Sequence, residues 1–203
     1  SGIFMKKILF FLAIGFSLTM AANIGTDSTF NSGDAKIINK IGTISYGPYG
    51  MGIQSDNSVL LYSDGQGTNR DVAILRLDSS GLADTTYDTY AVTNYSDTLN
   101  DGILLDDTIS TQAQDIKTLS DNSSIVASGN KLLKYSSSGV RDSSFGLLTN
   151  ANMTGDVRGG TIEVDSNDKI YHLTYTYTTS SDGKYFLARY ASDGTVDATF
   201  NSG

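Results

Sequence analysis

A single histidine, His172, and the absence of cysteine narrow the chemistry open to this chain of 203 residues. Without thiols there is no cysteine nucleophile and no thiolate metal site. A Ser-His-Asp triad has to use His172, yet no G-x-S-x-G elbow is present and His172 lies inside a run that alternates like a strand. Paired carboxylates are the remaining route to hydrolysis, and Asp106-Asp107 is the adjacent pair in a non-repeated stretch, "NYSDTLNDGILLDDTIS". Adjacent residues in one loop do not flank a sugar from opposite sides, as glycoside hydrolysis requires. The pair therefore reads as part of a solvated binding loop rather than as an acid and base. "GGT" at Gly159–Thr161 lacks the lysine and spacing of a phosphate loop.

Two other residue sets invite a ligand. The turns "DSSGLAD", "SSSGVRD" and "ASDGTVD" gather oxygen ligands. None supplies the alternating Asp or Asn positions and distal Glu of a calcium loop, so calcium is a secondary expectation and no cofactor is the primary one. Tyr46 and Tyr49 in "ISYGPYGMG", with Tyr175 and Tyr177 in "YTYTTSSDG", form a second set in stretches that are not repeated. At loop ends they offer a stacking surface for sugar or peptide, and the competing reading is that they cover strand flanks. A formal net charge of -8 and a pI near 4.4 disfavour nucleic acid and anionic membranes as partners.

These residues must be positioned by a fold, and the chain states its fold by repetition. Phe30, Tyr87, Phe145 and Phe200 each end a D-x-x-aromatic signature and are separated by 57, 58 and 55 residues. Gly81, Gly139 and Gly194 stand six residues before the aromatic, and Asp84, Asp142 and Asp197 stand three before it. Arg76, Lys134 and Arg189 precede each glycine inside an apolar strand. Further upstream, "GIQSDNSVLLYS", "DIKTLSDNSSIVAS" and "TIEVDSNDKIYHLT" each read as strand, Asx-rich turn and returning strand. The pattern predicts an all-β chain of about three four-stranded antiparallel blades of propeller type, standing in an open arc. One four-stranded sheet cannot cover both its faces, so copies bury each other's flanks.

The recurring residues are read as scaffold. The glycine takes a positive φ in a tight turn, the aspartate accepts backbone N–H groups and faces the basic residue eight positions earlier, and the aromatic wedges between blades. The expected organisation is residues 1–22 as upstream residues plus a secretory signal peptide, 23–33 as a leading half-motif, and repeats at 34–90, 91–148 and 149–203. Lys6-Lys7, the apolar run "ILFFLAIGFSL" and the small residues of "TMAA" carry the signal-peptide reading. It predicts export to the periplasm, the medium or the cell surface, with no membrane insertion after cleavage. "SGIF" before Met5 and the ending "NSG" read as the edges of a piece of a longer frame, whose remaining blades are expected partners.

The motif "A-R-Y-x-x-D-G-x-x-D-x-x-F", met here as Ala188, Arg189, Tyr190, Asp193, Gly194, Asp197 and Phe200, resembles the bacterial delta-60 repeat. Asn167, Asp168, Lys169 and Ile170 supply the hairpin upstream. Departures are Tyr87 in place of Phe, and turns "D-N-S-V" at Asp56 and "D-N-S-S-I" at Asp121 where the repeat has "D-G-K-I". The resemblance implies an exported propeller-type repeat and brings no catalytic residue with it. The expected function is a non-catalytic module that binds a protein or carbohydrate surface or serves a structural role. The alternatives are a propeller-type glycosidase or lyase using carboxylates, and a surface spacer array.

Overall fold

The computed structural model describes residues 29–30, 49–64, 72–87, 102–106, 113–145, 148–149, 156–177 and 183–200. The chain divides into two units, Ser1–Ile37 and Ile38–Gly203. Of the first only Thr29 and Phe30 are described, in a turn and a bend, so the signal peptide and most of the half-motif lie outside the described residues. Among its described residues the second unit is all β. Among the described residues no helix is long and apolar enough to cross a membrane.

Three antiparallel sheets follow one another along the chain. The first holds β1 (Gly50–Ile53), β2 (Val59–Asp64), β3 (Val72–Leu77) and β4 (Ile103–Asp106), hydrogen-bonded in that order. The second holds β5 (Ala113–Thr118), β6 (Ser124–Ser128), β7 (Lys131–Tyr135) and β8 (Leu148–Thr149). The third holds β9 (Asp156–Val164), β10 (Ile170–Tyr177) and β11 (Lys184–Tyr190), three strands among the described residues where four were expected. The fourth strand of the first sheet, Ile103–Asp106, pairs back onto Val72–Leu75 although it lies inside the 91–148 copy. In the first sheet, sequence copy and sheet are therefore offset by one strand, and β8 of the second sheet lies across the boundary between the 91–148 and 149–203 copies.

Local chemistry explains the hairpins. The turn before each second strand puts Asn57, Asn122 or Asp168 at φ 65, 64 and 57°, the left-handed region that Asx residues tolerate best after glycine. Asp56 and Asp121 lock the first two turns by accepting the amides of Ser58 and Ser123, each at 2.9 Å. After the third strand the chain reverses through Gly81, Gly139 and Gly194, with φ 79, 82 and 87°. Leu77, Tyr135 and Tyr190 then bridge to Ala83, Arg141 and Val196.

The core lies between sheets rather than within any one of them. Leu60, Tyr62, Ile74, Leu104 and Tyr87 from the first sheet and its trailing turn meet Ile116, Val126, Leu133 and Tyr135 of the second. On the other side of the second sheet, Ile125, Ala127, Leu132 and Phe145 meet Ile162, Ile170 and Tyr190 of the third. Each such side chain contributes about 1.5–3 kcal/mol by leaving water, so a sheet removed from its neighbour loses most of its stabilisation. The inner strands pack in series, β1 on β5 and β5 on β9, and the three sheets do not close into a ring.

Polar bonds repeat across these interfaces. Ser55 donates its amide to Asn122 Oδ1 at 2.7 Å, and Ser120, the matching residue one sheet on, donates its amide and hydroxyl to the Asp168 carboxylate at 2.9 and 2.5 Å. The positive-φ residues of the second and third turns, Asn122 and Asp168, thus receive the turn of the preceding sheet.

Candidate functional site on the turn face of the second sheet

One end of every sheet carries both the Asx hairpin and the glycine turn, and there the repeated basic residue sits among carboxylates. In the first sheet Arg76 fills its place completely. Its guanidinium donates to Asp84 Oδ2 and Asp56 Oδ2, each at 2.7 Å, to Ser58 Oγ at 3.2 Å, and through Nε to Gln54 Oε1 at 2.7 Å. In the third sheet Arg189 donates to Asp197 Oδ2 at 3.0 Å and to Thr199 Oγ1 at 3.0 Å, and lies 4.8 Å over the Phe200 ring. Hydrogen bonds from the Thr199 hydroxyl and amide, then Lys169, hold the Asp197 carboxyl well below the usual carboxylate range.

The second sheet keeps the carboxylates and changes the base. Asp121, Ser123 and Asp142 occupy the places of Asp56, Ser58 and Asp84, while Lys134 replaces the arginine and Leu119 the Gln54 amide. Lys134 turns to the third sheet, its Nζ donating to Ser192 O at 3.2 Å. At this place in the second sheet lies a depression of about 350 Å³, lined by Asp121, Ser123, Lys134, Arg141, Asp142, two neighbouring serines and Val140. Both carboxylates are ionised at neutral pH. Burial raises the Asp121 pKa, but bonds from the Ser123 hydroxyl and amide outweigh it and leave the net shift downward; the Ser144 hydroxyl is the leading cause for Asp142. The depression therefore offers two acceptors, an ammonium and hydroxyls in one small area, a donor and acceptor set suited to a polar, hydroxyl-rich or zwitterionic surface.

The residues singled out from sequence are dispersed. Tyr46 and Asp107 lie outside the described residues, and Tyr177 ends β10 with its side chain outside them. Tyr49 is exposed just before β1, its ring 6.3 Å from that of Tyr62, and Tyr175 is half-buried with its ring 5.1 Å from Tyr185. Each of the two packs within its own sheet. Asp106 is buried, accepting the Tyr135 hydroxyl at 2.8 Å and facing Arg141 at 3.4 Å, so it joins the first sheet to the second instead of lining a loop. Of the recurring aromatics, Tyr87 and Phe145 are buried between sheets and Phe200 is half-buried against Tyr171. Lys134 was read from sequence as scaffold. It differs in type from Arg76 and Arg189 at the matching positions.

Among the described residues no group of three or more His, Asp or Glu is arranged to hold a metal ion. His172 is buried beside Gln114 and the Gly129 carbonyl, and among the described residues its Nε2 makes no hydrogen bond of good geometry. Burial pushes its pKa from 6.5 down to about 4. The folded chain holds it neutral, so the unfolded chain takes up the proton first as pH falls below 6.5, and stability is lost from there down to about 4. Between pH 7 and pH 5 the expected loss is about 2 kcal/mol, read from urea midpoints at the two pH values. His172→Leu should flatten this window, and a wild-type stability that is level across it contradicts the assignment.

The inner-strand packing and the serial interfaces define an all-β propeller-type protein. Residues 166–200, nearly all of the third copy's motif, match a family described as "Domain of unknown function (DUF5122) beta-propeller". No curated protein matches the chain. Among solved structures it is similar to one titled "Streptogramin B lyase structure", with 17% identity, a TM-score of 0.39, and coverage of 73% of this chain and 42% of that one. It is also similar to a selenomethionine-substituted virginiamycin B lyase from Staphylococcus aureus, with 12% identity, a TM-score of 0.40, and coverage of 77% and 56%. The chain spans about half the length of the solved structures it matches.

Proposed function

We propose that this chain is an exported, non-catalytic propeller module that engages a polar protein or carbohydrate surface through the turn face of its second sheet. The observation that carries this reading is the broken repeat at Lys134. Positions that recur are consumed by the scaffold, so ligand binding belongs where a copy departs from the pattern and a space opens. Export rests on the basic, apolar and small-residue order of residues 5–22. The absence of catalysis is supported by how the turn-face aspartates are used. Asp56, Asp84 and Asp197 neutralise arginines, and Asp121 and Asp142 each spend Oδ1 on their own turns.

Lys134→Arg tests the reading without removing any charge. The new guanidinium should bridge Asp121 and Asp142 as Arg76 bridges Asp56 and Asp84, raising stability by up to about 1 kcal/mol, the range of a partly exposed ion pair. Screened against oligosaccharide and peptide arrays, wild type should retain a hit that the variant loses by at least tenfold. A hit equally strong in both, or turnover of an offered oligosaccharide, contradicts the proposal.

A further inference from the structure

The repeated turn aspartate uses its two oxygens for different things. Through Oδ1, Asp84, Asp142 and Asp197 each accept the amide two residues on, at 2.9, 2.9 and 3.0 Å. Through Oδ2 the first and third of them hold a cation: Arg76 lies 2.7 Å from Asp84, and Arg189 and Lys169 lie 3.0 and 3.1 Å from Asp197. In the first sheet Asp56 Oδ2 holds the same guanidinium from the hairpin side at 2.7 Å. In the second sheet Asp121 and Asp142 spend Oδ1 on Ser123, Ser144 and Phe145, and neither Oδ2 has a donor among the described residues.

The frame that carries these two carboxylates is otherwise the same as in the first sheet. Lys134 pairs with Ile125 across β6 and β7 as Arg76 pairs with Leu60 across β2 and β3. The Asp142 amide donates to Lys134 O at 2.8 Å, and the Asp84 amide to Arg76 O at 2.9 Å. Ser123 and Ser58 each donate an amide at 2.9 Å to the aspartate two residues earlier. Both carboxylates line the depression, as does Ser123, whose counterpart Ser58 accepts from Arg76 at 3.2 Å. Lys134 engages Ser192 O instead of the carboxylates, and Arg141 is paired with Asp106. Two carboxylates thus face one ammonium, and the balance favours a second cation.

We infer that the depression takes the guanidinium of an arginine presented by a partner protein, held by Asp121 Oδ2 and Asp142 Oδ2 as Asp56 and Asp84 hold Arg76. The inference rests on the reading of this face as a binding surface and names the group it recognises. A planar fork of donors can reach two carboxylates at once, whereas an ammonium is a compact, strongly hydrated charge. Val140, 41% exposed at the edge of the depression, offers apolar surface to the arginine stem. Partly exposed ion pairs are individually weak, so a free guanidino compound is held poorly and the polypeptide around the arginine must add contacts.

The test is a titration of the full chain, labelled with nitrogen-15, at about 0.05 M salt, where exposed ion pairs are less screened. The probe is a capped Ala-Ala-Arg-Ala-Ala peptide. It should shift the amide resonances of Ser123 and Ser144 saturably. Its lysine counterpart should bind at least fivefold more weakly, its neutral citrulline counterpart should leave both resonances unmoved, and N-acetyl-arginine amide should bind at least threefold more weakly. Asp121→Asn and Asp142→Asn keep an Oδ1 for the turn amides, so each should retain the wild-type circular dichroism and lose binding at least tenfold. Lys134→Gln removes the competing charge and should tighten binding, whereas Lys134→Arg should abolish it. Unmoved Ser123 and Ser144 resonances, equal binding of the citrulline peptide, or loss of binding in Lys134→Gln overturns the guanidinium assignment. N-acetyl-arginine amide binding as tightly as the peptide overturns the assignment to a partner protein. An array hit that Lys134→Arg weakens but that contains no arginine overturns the inference while the binding face stands. A hit that Lys134→Arg does not weaken removes both.

Discussion

Phe145→Ala is expected to destabilise the chain by about 3–5 kcal/mol, the cost of emptying a buried aromatic site. Phe145 is 3% exposed and packs with Leu119, Ile125 and Leu132 of the second sheet and with Ile162, Ile170 and Tyr190 of the third. Its place is fixed by the turn behind it, where Asp142 Oδ1 accepts the amides of Ser144 and Phe145 at 2.9 and 3.2 Å. The ring therefore cannot be replaced by a small shift of the loop, and the cavity stays open. Urea unfolding should show a lower midpoint. Phe200→Ala, at the matching but half-buried position, should cost clearly less. Equal losses at the two positions contradict the placement of the core between sheets.

Asp106→Ala is expected to cost about 2–4 kcal/mol, of which about 1–3 comes from burying the Tyr135 hydroxyl without its acceptor. The remainder is the ion pair with Arg141, discounted because the arginine side chain is 24% exposed. Burial first, then the Asp106 carboxylate, push the Tyr135 phenol well above its ordinary pKa, so the hydroxyl keeps its proton and remains the donor. A double-mutant cycle separates the parts. Tyr135→Phe removes the orphaned donor, so the pair Asp106→Ala with Tyr135→Phe should be more stable than Asp106→Ala alone by at least about 1 kcal/mol. If the cycle shows no coupling, the bond seen between these side chains contributes nothing to the interface.

Much of this architecture was legible in the residues. The Asx turns at Asn57, Asn122 and Asp168 and the glycines at 81, 139 and 194 announce themselves because left-handed backbone admits few residue types. The period then follows from counting. What the sequence hides is anything that depends on which copy touches which. Asp106 looks like a loop carboxylate until Tyr135, 29 residues away, is brought against it by the second sheet. The strand Ile103–Asp106 sits in a variable stretch, and its pairing with the previous sheet is a matter of topology that an apolar run of four residues does not encode. Lys134 was visible as a substitution, yet lysine and arginine look interchangeable until the geometry shows what a planar fork fills and an ammonium leaves open.

The central claim is that each sheet is stabilised by its neighbour rather than by itself, and amide hydrogen exchange on Phe145→Ala tests it most directly. If sheets hold each other, protection should fall together in β6 of the second sheet and in β9 and β10 of the third, with β3 of the first sheet less affected. Loss of protection confined to the turn around Phe145, or to the second sheet with β9 and β10 unchanged, contradicts it.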